Sequence, residues 1–110
     1  MAKALKHCPV EQAIQIIGGK WKLLVLRSLL LNGPQRYNQL LRSVTKISSK
    51  ELTRNLKELT AAGLLARDSD AGRAARYELT KLGASLMPTF KTLLTWGTKL
   101  PSSISRSHAH

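Results

Sequence analysis

The residues best suited to chemistry in this chain are cations and hydroxyls, not acids. Lys50, Thr53, Arg54 and Lys57 recur every three or four positions. On a helix that spacing gathers them on one side. Ser48 and Ser49 precede them, and Arg36, Arg73 and Arg76 lie elsewhere in the chain. Short polar and cationic donors on one helical face are what base edges and phosphates accept. Catalysis finds no matching set. The six acids are scattered, with no pair placed for general acid–base work. No nucleophile elbow or phosphate-binding glycine loop is present, and no cofactor is expected. His7, Cys8, His108 and His110 sit at the two ends with spacing unsuited to a metal site.

The stretch 36–65 holds that cationic face, and it reads as two helices joined by a tight turn. Ser48 and Glu51 form an S-x-x-E capping box, with Ile47 and Leu52 placed as its hydrophobic staple. Gly63 ends the second helix at a left-handed C′ position. Leu52, Leu56 and Leu59 share the face opposite the cations.

Charge supports an anionic partner. The chain has 18 Lys+Arg against 6 Asp+Glu, a net charge of +12, so nucleic acid comes first and a membrane surface second. No carboxylate lies between Glu11 and Glu51, where seven cations fall. No apolar run approaches the ~20 residues of a membrane span. The single cysteine excludes an intrachain disulfide framework and fits a reducing cytosol, so the expected location is cytoplasmic.

The remaining elements must position this stretch. Pro9 at N1 with Cys8 as cap opens a first helix, striped by Val10, Ala13, Ile14 and Ile17. Gly18-Gly19 breaks it. A second helix, about 20–31, is apolar nearly all round after Lys22 and reads as the central buried helix. A third spans roughly 37–44, burying Leu40, Leu41 and Val44. After the capped fourth helix, residues 64–67 and 73–79 read as a two-stranded hairpin around turn-forming Asp68–Gly72. Thr80 caps one final long helix, which Pro88 should kink. Its face carries Leu82, Leu86, Phe90, Leu93, Leu94 and Trp96. The fold class is mainly α with a small β-hairpin (α+β), a winged helix-turn-helix. Residues 1–100 form one domain and the Ser-rich segment 101–110 a disordered tail.

The chain resembles the HxlR-type winged helix-turn-helix transcription regulators across about residues 8–97. The resemblance rests on Cys8-Pro9-Val10 with Glu11, on Ile17-Gly18-Gly19-Lys20-Trp21, and on Gly33-Pro34 followed by Arg36-Tyr37-Asn38 and Leu40. Ile47-Ser48 leading to Leu52-Thr53, Leu56, Glu58-Leu59 and Gly63-Leu64 also matches. So do Tyr77-Glu78-Leu79-Thr80, Gly83, Leu86, Pro88 and Trp96-Gly97. It implies a sequence-specific regulator that binds operator DNA as a homodimer joined through its first and last helices. The DNA-contacting residues would be Arg36, Ser48, Ser49, Lys50, Thr53, Arg54, Lys57, Arg73 and Arg76. The rival use of such a fold is a protein-interaction or RNA-binding module. The wing departs from the family pattern: Arg73-Ala74-Ala75-Arg76 stands where prolines are usual. Some relatives sense oxidants or electrophiles through the N-terminal cysteine. Cys8 caps a helix beside Lys6 and His7, a setting that activates thiols. It reads either as such a sensor or as a small residue packed at the dimer seam, with the effector unidentified.

Overall fold

A computed structural model describes residues 8–68 and 75–102. Nine elements follow in order: α1 (Pro9–Ile17), α2 (Lys20–Asn32), β1 (Gln35–Arg36), α3 (Tyr37–Ser43), α4 (Ser49–Ala61), β2 (Leu65–Arg67), β3 (Arg76–Leu79), α5 (Lys81–Ala84) and α6 (Met87–Gly97). Arg73 and most of the expected tail lie outside the described residues.

The core is leucine-rich, as the scarcity of aromatics requires. Leu26, Leu40, Leu52 and Leu59 are fully buried where α2, α3 and α4 meet, and Leu65 and Tyr77 close it from the sheet. Helix α2 is central on one side only. Trp21, Val25, Leu26 and Leu29 are buried, but Leu23 and Leu24 are half-buried and Leu31 is exposed. Its apolar surround therefore exceeds what one chain covers. Leu41, expected inside, is likewise half-buried, whereas Tyr37 is buried.

The sheet has three strands, not two, in the order β1-β3-β2. Both pairings are antiparallel: Gln35 faces Tyr77 and Arg36 faces Arg76, while Leu65 faces Leu79 and Arg67 faces Tyr77. β1 is held by a closed ring of side-chain hydrogen bonds. Gln35 Nε2 donates to Ser28 Oγ (2.9 Å), and Ser28 and Ser43 hydroxyls meet at 2.7 Å. The Ser43 hydroxyl donates back to Gln35 Oε1 at 3.1 Å. The ring closes if Ser28 donates to Ser43. It satisfies two buried polar residues, Ser28 and Gln35, and ties α2, β1 and α3 together.

The last segment is two helices, not one kinked helix. The Thr80 side chain caps α5 by accepting from Gly83 N–H, and its hydroxyl donates to Gly63 O at 2.6 Å. The chain turns at Ser85-Leu86, and Pro88 falls in the first turn of α6. A proline there removes no needed N–H, so it starts a helix where an interior position would bend one.

Candidate nucleic-acid interface

Local sequence builds α4 as expected. Ser48 Oγ accepts the Glu51 N–H at 3.1 Å and donates to Glu51 Oε1 at 3.2 Å. Ile47 and Leu52, the two halves of the staple, are both buried in the core. At the other end Gly63 has φ 85, Leu64 N–H donates to Leu59 O, and Gly63 N–H to Thr60 O. This is the Schellman arrangement, with Leu59 and Leu64 buried together. The turn before α4 places Lys46 at φ 71, a left-handed conformation that costs a non-glycine residue about 1–2 kcal/mol.

Three contacts fix α4 against its scaffold. Glu51 Oε2 accepts the Trp21 indole N–H at 2.8 Å. Lys22 Nζ lies 2.7 Å from Glu58 Oε1. The buried Tyr37 hydroxyl donates to Ser49 O at 3.0 Å and lies 3.1 Å from Thr53 Oγ1. The two acids of α4 are thus engaged by the first turn of α2. The hydrogen bond from Lys22 comes first among the influences that hold the Glu58 carboxyl below its ordinary value, ahead of the charge attraction of Lys22 and Arg54. Lys20 Nζ sits 4.6 Å over the Trp21 ring.

Ser49, Lys50, Thr53, Arg54 and Lys57 are all exposed along α4, as their spacing predicted. Arg54 makes one long contact, 3.6 Å to Glu58, a surface pair worth little. Ser48 is exposed too, but its hydroxyl is engaged in the cap. Arg36 is exposed at the N-cap of α3, where its backbone N–H donates to Gln39 Oε1. Arg36 and Arg76, forty positions apart in sequence, are direct cross-strand partners. Like charges opposite one another destabilise a sheet unless an anion offsets them.

The sequence puts Arg67 in the hairpin but gives no reason to count it among the DNA-contacting residues. Arg76 alternates with the buried Tyr77, so it points to the outer face of the sheet. Arg67 pairs with Tyr77, and its Nε donates to the Tyr77 hydroxyl at 3.2 Å. Arg67 is therefore the wing arginine beside α4. Only the long-range pairing of β2 with β3 reveals this. Asn55, buried with its Nδ2 donating to Glu51 O at 2.7 Å, was also not anticipated.

Cys8 is half-buried at the N-cap of α1 and its side chain makes no cap hydrogen bond. No residue of α1 is buried. Among the described residues no cluster of His, Cys, Asp or Glu could hold a metal ion, and no helix is long and apolar enough to cross a membrane. His7, His108 and His110 lie outside the described residues.

A tri-helical core with α3-turn-α4 backed by a three-stranded sheet defines a winged helix-turn-helix protein. The chain belongs to the HxlR-like helix-turn-helix family, whose model matches residues 16–104. It is 41% identical over 92 residues to the uncharacterised HTH-type transcriptional regulator YkvN of Bacillus subtilis, covering 82% of this chain and 77% of that protein. Among solved structures it is similar to quinone-bound YodB of B. subtilis, with TM-score 0.73, 29% identity, and 84% and 100% of the two chains covered. The redox regulator HypR in its oxidised form matches with TM-score 0.73 and 32% identity over 86% and 98%. These relatives are transcriptional regulators, not enzymes.

Proposed function

We propose that this chain is a cytoplasmic, homodimeric regulator that reads operator DNA with α4 in the major groove. The observation that carries the reading is the exposed row Ser49, Lys50, Thr53, Arg54 and Lys57, with both acids of α4 engaged by α2. The N-terminal half of such a helix reaches base edges. Because Tyr37 gives its proton to Ser49 O, Thr53 spends its own on Tyr37. That leaves the Thr53 methyl and a lone pair for the groove, a group that suits a thymine methyl. Lys57, Arg36 and the wing arginines Arg73 and Arg76 serve the phosphates, and Ser48 holds the helix start at the backbone. The test is titration of random and selected duplex DNA. Arg54→Ala is expected to cost about 1–3 kcal/mol on the selected site. Lys57→Ala is expected to weaken all duplexes and lower the salt slope by about one. Unchanged selectivity in Arg54→Ala would defeat the groove assignment, and tighter binding to single-stranded RNA would favour the RNA-binding module instead.

Dimerisation through α1 and α6 is supported by their uncovered apolar faces: Val10, Ile14, Leu94 and Trp96 are 66%, 61%, 61% and 59% exposed. A two-fold pair would set two reading helices at a fixed half-site spacing. Cys8 stands at the start of α1, and the similarity to HypR and quinone-bound YodB supports an oxidant- or electrophile-sensing role for it. With one cysteine per chain, oxidation gives an intersubunit disulfide or a mixed disulfide with a small thiol. Diamide or quinone treatment is expected to change DNA affinity in the wild type and not in Cys8→Ser. Equal responses would make Cys8 a packing residue.

A further inference from the structure

Between the C-terminal half of α4 and the inner face of the sheet lies a cleft of about 730 Å³. Tyr37, Leu56, Ala61 and Tyr77 line it, together with the cations Lys57 and Arg67. No carboxylate borders it. Both tyrosines are buried and anchored by their hydroxyls, Tyr37 on Ser49 O and Tyr77 by Arg67 Nε. The aromatic walls are therefore preformed, and their hydroxyls are committed. A phosphate backbone has no use for so much apolar lining, whereas small-molecule sites combine apolar walls with a few placed polar groups. Lys57 makes no ion pair among the described residues.

We propose that this cleft binds a flat aromatic carboxylate of one or two fused rings, its ring against the tyrosines and its anion on Lys57. Aromatic walls favour a flat aromatic body through offset or edge-to-face packing. Arg67 already gives its Nε to the Tyr77 hydroxyl, which leaves Lys57 as the lining cation to meet one anionic group. The regulatory consequence rests on the DNA reading above: an occupant would neutralise Lys57 and fill the gap between α4 and the wing, so ligand and duplex exclude one another. This control is separate from any chemistry at Cys8, which lies on α1.

The probe is 2-naphthoate, measured by equilibrium dialysis against the DNA-free full chain, with 2-naphthamide as its uncharged counterpart. The wild type is expected to bind naphthoate about tenfold more tightly than naphthamide, roughly 1.4 kcal/mol. Lys57→Gln is expected to abolish that preference while still binding both. Ala61→Trp, at an exposed position ending α4, fills the cleft and is expected to weaken both by about tenfold or more. Equal binding of naphthoate and naphthamide by the wild type, or naphthoate binding unchanged in Ala61→Trp, overturns the site. Saturating naphthoate is then expected to release duplex DNA and to lower the remaining salt slope by about one. Naphthoate bound in the cleft with duplex affinity unchanged overturns the exclusion. A ligand-free protein that binds no duplex overturns the DNA reading itself, leaving the dialysis result intact.

Discussion

Helices α4 and α6 are close in length, 13 and 11 residues, and opposite in fate. α4 is the more polar, yet it buries Leu52, Asn55, Leu56 and Leu59. α6 carries Phe90, Leu93, Leu94 and Trp96 and buries none of its residues. Burial normally follows apolar content at about 25 cal/mol per Å², so the inversion needs a cause. Around α4 every wall is supplied by the same chain. α6 shares an apolar groove with Leu23 and Leu24 of α2, and among the described residues its outer side, with Leu94 and Trp96, is left exposed. The half of the molecule assigned to reading DNA is complete in one chain. The half assigned to association is a surface that a second copy would finish.

Four measurements break or sharpen that contrast. Leu56→Ala is expected to destabilise the fold by about 2–5 kcal/mol in urea unfolding. A cost under about 1 kcal/mol would show that the core around α4 is looser than drawn. Leu94→Asp is expected to leave a folded chain that sediments as a monomer and binds selected DNA about a hundredfold more weakly, because paired half-sites no longer act together. A dimer that survives this change would put the seam elsewhere.

The third measurement concerns how α4 is held. Trp21→Phe puts a smaller aromatic ring in the core and deletes the donor to Glu51, and is expected to cost about 2–3 kcal/mol, of which about 1 kcal/mol is the hydrogen bond. In Glu51→Ala the same change should cost less by that hydrogen-bond share, and additive losses would show that the two side chains act independently. The smallest effect is on pH. The Glu58 carboxyl is held below its ordinary value of 4.5, chiefly by Lys22. A depressed folded-state pKa gives stability that is present above that value and is lost as pH falls through the folded one. The acid limb of the stability curve should therefore be shallower in Glu58→Gln. An identical limb in both proteins would make the Lys22 pair energetically silent.

Local signals were legible and distant ones were not. Ser48, Glu51 and Gly63 act within a few residues of themselves, so the bounds of α4 could be read from the chain. β1 is two residues long and exists only because β3 lies beside it, so no periodicity could announce it. Pro88 follows the right physics in a different place, because the break between α5 and α6 at Ser85-Leu86 keeps near-helical backbone and carries no strong residue signal. Within the site, the exposed row on α4 followed from spacing alone. Arg67 did not, since its facing depends on register with Tyr77, and Arg73 falls outside the described residues. The hydroxyl ring of Ser28, Ser43 and Gln35 joins three elements whose polar residues look unremarkable one at a time.

Arg36 is both the last residue of β1 and the N-cap of α3. The wing sheet and the first reading-unit helix therefore share a backbone position. In hydrogen-exchange terms they are expected to open as a single unit. Fraying of β3 away from β1 removes the support on which the first turn of α3 begins, and with it the Tyr37 hydroxyl that steadies α4. Local opening free energies differ between cooperative units and agree within one. The amides of Arg36, Tyr77 and the first turn of α3 should therefore exchange together, more slowly than those of α1, and all of them should slow when the wing is pinned.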